Sequence, residues 1–146
     1  MGNPATFSRP EATTPGPRAA YADAAVLLGR ILLGLLFLGG ALQKTGDPGP
    51  AMLLLAERGL PESLVWPATA FNLVTGLALV VGWRVRVVAL LLAAYCAATS
   101  IFHLKPEDPW QMTIFVKNWA IAGGLLALYA HGGGRFALDA RARPGR

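Results

Sequence analysis

The chain has 146 residues, of which 54% are hydrophobic and only 14% charged, and its mean hydropathy is +0.47; a soluble domain carries about 25% charged residues, so lipid is the expected solvent. A chain of this length makes one domain, and four apolar stretches of membrane length leave no room for a separate soluble catalytic domain. The net charge of +5 would suggest nucleic acid in a soluble protein, but here the cations fall in loops and tails between apolar stretches, where they act on topology, so no nucleic-acid partner is expected.

Residues 1–22 hold Pro4, Pro10, Pro15 and Pro17 among Ala, Thr and Gly without an apolar run. They cannot bury enough surface to offset ordering and are expected to form a disordered cytoplasmic tail. Residues 23–131 follow as the membrane domain. The first apolar stretch, Ala24 to Leu42, is roughly 19 residues long, about one hydrocarbon thickness as a helix and too long for a typical signal-peptide core.

After the turn signal Gly46-Asp47-Pro48-Gly49-Pro50, the segment from Met52 to Gly59 reads as two helical turns. It is too short to span and is expected to lie at the outer surface as an interfacial helix. The second stretch, Leu64 to Val81, and the third, Val85 to Leu104, are separated only by Gly82-Trp83-Arg84 and should form an antiparallel hairpin. Pro106-Glu107-Asp108-Pro109 precedes the fourth stretch, Met112 to Ala130, and Gly132-Gly133-Gly134 opens a basic tail over residues 132–146. No ten-residue alternating segments occur, which excludes a β-barrel. The expected fold is therefore all-α, an antiparallel four-helix transmembrane bundle with a short interfacial helix in the first outer loop.

Orientation follows from the basic residues. The N-terminal tail, second loop and C-terminal tail carry Arg9, Arg18, Arg84, Arg86, Arg135, Arg141, Arg143 and Arg146, whereas the first and third loops carry only Lys44, Arg58 and Lys105. The positive-inside rule puts both termini in the cytoplasm.

In lipid, helices associate through close backbone contact and polar bridges. Ala89, Ala93 and Ala97, the pairs Ala120 with Gly124 and Gly123 with Ala127, and Ala25 with Gly29 supply small-residue strips. These serve equally within one chain and between copies, so a homo-oligomer is compatible with the sequence.

Ionisable groups at membrane depth are costly, so each calls for a partner or a role. On a 100° wheel Arg30, Gly34, Phe37, Ala41 and Lys44 share one face of the first span, and Tyr95, Cys96, Thr99, Ser100 and His103 one face of the third. Thr69, Asn72 and Gly76 lie together on the second, while Lys117, with Asn118 beside it, lies over Ala120 and Gly124 on the fourth. Lys44, Asn72, Thr99, Ser100, His103, Lys117 and Asn118 are thus the candidates for an outward-opening polar chamber, and Arg30 is an intramembrane cation near the inner side. The competing reading is that Arg30 and Lys117 snorkel to the headgroups and that Lys44 and His103 are interface residues. No carboxylate lies within the spans, so no metal site is expected. The single cysteine, Cys96, forms neither a disulfide nor a Cys-x-x-Cys pair, so redox chemistry would need a borrowed cofactor. No catalytic triad, phosphate-cradling loop or carboxylate pair is present, which leaves catalysis itself undecided.

The succession Gly29-Arg30 through Gly34, Gly39 to Lys44, Gly76-Leu77-Ala78-Leu79-Val80-Val81-Gly82, Arg84 or Arg86, His103, Lys117-Asn118, Gly123-Gly124-Leu125-Leu126 and Gly132 to Gly134 before Asp139 resembles the DoxX family of small four-helix membrane proteins. Relatives in that family include the membrane subunit of a thiosulfate:quinone oxidoreductase. The resemblance implies a multi-pass protein of a prokaryotic inner membrane, an accessory subunit of a redox system that contacts quinone or thiol metabolites on the outer side alongside other subunits. It also implies that the cations hold an anionic oxygen while His103 relays a proton. Family members often carry an acid where this chain has Asn72, and a neutral amide cannot exchange a proton. The alternative is a non-catalytic carrier, assembly factor or small-solute transporter.

Overall fold

A computed structural model describes residues 17–141 of the chain; the remaining residues of the two tails lie outside the described residues. Helix α1 spans Pro17–Gly46, about 45 Å at 1.5 Å per residue, so it exceeds the ~30 Å hydrocarbon layer. It starts upstream of the expected boundary: Pro17 to Ala22 form its first turns instead of tail. Proline is tolerated at the first helical position, and Arg18, Ala19 and Ala20 are strong helix formers. The short helix α2, Gly49–Ala56, has no buried residue. A 3₁₀ turn, Glu62–Leu64, leads into α3, Val65–Val81. Helix α4, Val85–Ser100, continues through a 3₁₀ turn to His103. Helix α5, Pro109–His131, is capped by Asp108, whose carboxylate accepts from the Trp110 and Gln111 amides at 2.9 and 3.2 Å. A single turn, α6, covers Leu138–Arg141.

Four helical segments, Arg18–Gly46, Glu62–Val81, Val85–His103 and Pro109–His131, are long and apolar enough to cross a membrane. They form two close pairs, α1 along α3 and α4 along α5, which meet each other more loosely. Helices α3 and α4 are joined by a tight turn, as the short connection requires, but each packs mainly on another partner. The α1/α3 contact is made by backbone: a Cβ on Gly34 would lie 3.0 Å from the Gly76 carbonyl oxygen and one on Gly76 3.1 Å from that of Gly34. Between α4 and α5 the core is Ala89, Leu92 and Ala93 against Ala122, Leu125 and Leu128. The Ala120/Gly124 and Gly123/Ala127 strips do not pack inside the bundle. The buried stripe of α5 is centred on Ala122, Leu125 and Leu128, which leaves Ala120, Gly123, Gly124 and Ala127 exposed, Gly124 and Ala127 across a groove from Ala25 and Gly29 of α1. Trp66, Trp83 and Trp110 sit near helix ends, where an aromatic belt is expected, whereas Trp119 is exposed in the middle of α5.

The two ends of the bundle differ. At the end holding the α3/α4 turn, residues 132–141 fold back as a strap. Arg30, only 1% exposed, donates from Nη1 to the Gly133 carbonyl at 2.9 Å and from Nη2 to that of Phe136 at 3.4 Å. The Asp139 carboxylate accepts from the Arg84 and Val85 amides at 2.7 and 2.8 Å, capping α4, and its own amide donates to Gly82 at 3.1 Å. Asp23 holds the strap from α1, accepting from the Arg135 amide at 3.1 Å. Gly82 has φ +82°, and a Cβ there would lie 2.5 Å from Arg30 Nη1 and 2.7 Å from Ala137 Cα, so only glycine fits. Arg30 therefore does not snorkel; backbone carbonyls with no other donor take up its charge. This end is closed.

Candidate functional site

At the opposite end the two helix pairs part around a cavity of about 950 Å³. Its walls are the last turns of α1 and α4 and the first turns of α3 and α5, and α2 covers it with Pro50, Ala51, Leu54 and Leu55. The α2 loop is tied to the far side: Lys105 Nζ lies 2.6 Å from Glu57 Oε2, and Arg58 donates to the Ile101 carbonyl at 2.7 Å.

Of the sequence candidates, Lys44, Asn72, Thr99, His103, Lys117 and Asn118 all line this cavity. Ser100 does not: it is 1% exposed and its hydroxyl donates to the Ala97 carbonyl at 2.7 Å. One residue of helix places it 100° round from Thr99, which takes it off the lumen. Arg30 belongs to the closed end and contributes nothing here.

Each polar group is positioned by local geometry. Lys44, in the last turn of α1, donates to the Gly40 carbonyl at 3.1 Å, which places a cation where the helix dipole favours one. Thr99 donates back to the Tyr95 carbonyl at 2.8 Å, leaving its oxygen lone pairs facing the cavity. His103 Nδ1 pairs with Gln111 Oε1 at 2.7 Å; an amide oxygen only accepts, so this contact suits the Nδ1–H tautomer, in which Nε2 is an acceptor. Among the described residues no side-chain hydrogen bond fixes Lys117 or Asn118, so their donors are free to meet a ligand. About two helical turns in from the start of α3, Asn72 Nδ2 donates to the Tyr95 hydroxyl at 3.3 Å.

Further lining residues lie outside the sequence candidates, among them Tyr95, Trp110 and Gln111. Tyr95 was placed on the right face of its helix, but its partner lies across the bundle on α3. Gln111 fell before the expected start of the fourth span, and only the proline-led first turn of α5 brings it to His103. Trp110, in the first turn of α5, lines the cavity as well as standing at a helix end. The wall between these groups is apolar, with Leu35, Leu54, Phe102, Ile114 and Ile121. Apolar walls with a few convergent polar groups describe a pocket for an amphipathic small molecule.

Comparison with known proteins agrees with this architecture. Residues 25–105 match the DoxX family. The chain is 31% identical over 119 residues to a protein named "Inner membrane protein YqjF" from Escherichia coli (strain K12), an alignment that covers 80% of this chain and 91% of that protein. No solved structure matches the chain. With four membrane-length helices and a family match over more than half its length, this chain is a membrane protein that belongs to the DoxX family.

Proposed function

We propose that this protein is a quinone-contacting accessory subunit of a redox system in a prokaryotic inner membrane, with its cavity opening to the outer side. The observation that carries the reading is the cavity itself: about 950 Å³, largely apolar along its walls, with Lys44, His103, Lys117 and Asn118 converging on it. A quinone head fits this chemistry, because its carbonyl oxygens accept hydrogen bonds from lysine and amide donors while its ring and tail take the apolar wall. The relative's printed name supports an inner-membrane location, and the excess of arginines at the closed end supports a cytoplasmic position for that end. His103 lines the cavity and, as the Nδ1–H tautomer, would present Nε2 to accept a proton from a bound ligand.

A second reading is favoured by a separate observation. The exposed face of α5, with Ala120, Gly123, Gly124 and Ala127, is smooth enough to receive a partner helix, as in an assembly factor or a subunit of a larger complex. The closed end argues against a solute passing right through.

The test is titration of the detergent-purified protein with a short-chain quinone, following quenching of tryptophan emission, since Trp110 lines the cavity. Saturable quenching that weakens at least tenfold in Lys117→Ala or His103→Ala is expected. Absence of saturable quenching, or affinities in both variants unchanged from the unmodified protein, overturns the reading.

A further inference from the structure

Asn72 is 3% exposed and lines the floor of the cavity, yet its side-chain oxygen has no hydrogen-bond partner. Buried amides ordinarily satisfy both ends, and an orphaned acceptor at the bottom of a pocket marks a contact the protein reserves for something else. The other end of the amide is committed, since Nδ2 donates to the Tyr95 hydroxyl at 3.3 Å. That hydroxyl has one proton of its own, and among the described residues no acceptor receives it. The Tyr95 ring is held in place by Phe71, with ring centroids 5.3 Å apart. Asn72 and Tyr95 therefore place an unmet acceptor beside a hydroxyl whose own proton is unused. Terminal amide torsions are soft, so a small rotation brings the Asn72 oxygen to the lumen.

We infer that the Asn72–Tyr95 pair recognises a hydroxyl group on the bound ligand, so that the site prefers the reduced, quinol form of a quinone-class molecule over the oxidised form. A hydroxyl is donor and acceptor at one atom: its proton goes to Asn72 Oδ1 while its oxygen accepts from Tyr95. A quinone carbonyl can only accept; it satisfies Tyr95 and leaves the Asn72 oxygen buried and unpaired. Leaving such an acceptor unmet weakens binding by roughly tenfold. Lysine donors at the cavity mouth do not discriminate, because both forms accept from them. The inference concerns binding alone and rests on the reading of the cavity as a quinone-class site.

The experiment measures dissociation constants for a short-chain quinol and its quinone, the former anaerobically, on the purified protein and on Asn72→Leu. Binding of the quinol roughly tenfold tighter than the quinone, with the difference lost in Asn72→Leu, is the expected result. Equal affinities in the unmodified protein overturn this inference and leave the cavity reading standing. Tighter binding of the quinone also overturns it, because the free end of the amide would then be its donor. Failure of either form to bind overturns both. Should Asn72→Leu not fold, Tyr95→Phe with the same pair of ligands serves, since the comparison within the unmodified protein already decides the preference.

Discussion

The two ends of this bundle are built from similar materials and come out opposite. Each has a buried or half-buried cation, a helix N-terminus capped by an aspartate and a run of glycine or proline in the connecting loop. At the closed end the chain itself meets the charged groups: both terminal nitrogens of Arg30 are bound, to the Gly133 and Phe136 carbonyls, leaving Nε alone without a partner among the described residues, and Asp139 closes the first turn of α4. At the open end Lys117 and Asn118 are held by no side-chain hydrogen bond among the described residues, and the Asn72 oxygen is unmet. The difference teaches that a polar group in a membrane bundle stabilises when the chain itself supplies its partner, and serves binding when the chain withholds one.

That contrast can be broken from either side. Arg30→Ala has the largest expected effect. It empties a buried volume and strands two carbonyls, so detergent thermal unfolding should show a loss of about 3 kcal/mol or more. Gly82→Val comes next, at about 2 to 3 kcal/mol, because a side chain at positive φ would also strike the Arg30 guanidinium. Asp139→Ala removes both caps on α4 and should lower stability by about 1 to 2 kcal/mol by the same measurement. At the open end, Lys117→Ala should change stability by less than about 0.5 kcal/mol while weakening ligand binding, as expected for a site built for something other than folding. Glu57→Gln should be smallest: its bond to Lys105 is half-exposed, so removing it costs no more than about 0.5 kcal/mol. A stability loss at Lys117 as large as that at Arg30 would erase the distinction between the ends.

The spans were legible in the sequence because hydropathy and length are local. The buried faces of α1 and α4 were largely legible too, since Arg30, Phe37, Ala41 and Cys96 follow from a 100° period. What could not be read was long-range. Arg30 meets Gly133 across 103 residues and Asn72 meets Tyr95 across 23, and no local pattern encodes either meeting. Ser100 failed for the opposite reason: a wheel face is broad, and a residue at its edge turns into the core when the neighbouring helix comes close. The small-residue strips of α5 misled because glycine and alanine permit close packing without saying which neighbour, in this chain or another, will use it.

The most direct test is thiol accessibility in a Cys96→Ser background, with Asn118→Cys in the cavity and Ala78→Cys near the closed end. A small hydrophilic maleimide should label the first rapidly, although it lies well inside the span, and leave the second untouched from either side. Equal labelling at the two positions, or protection of both, would contradict a bundle sealed at one end and open at the other.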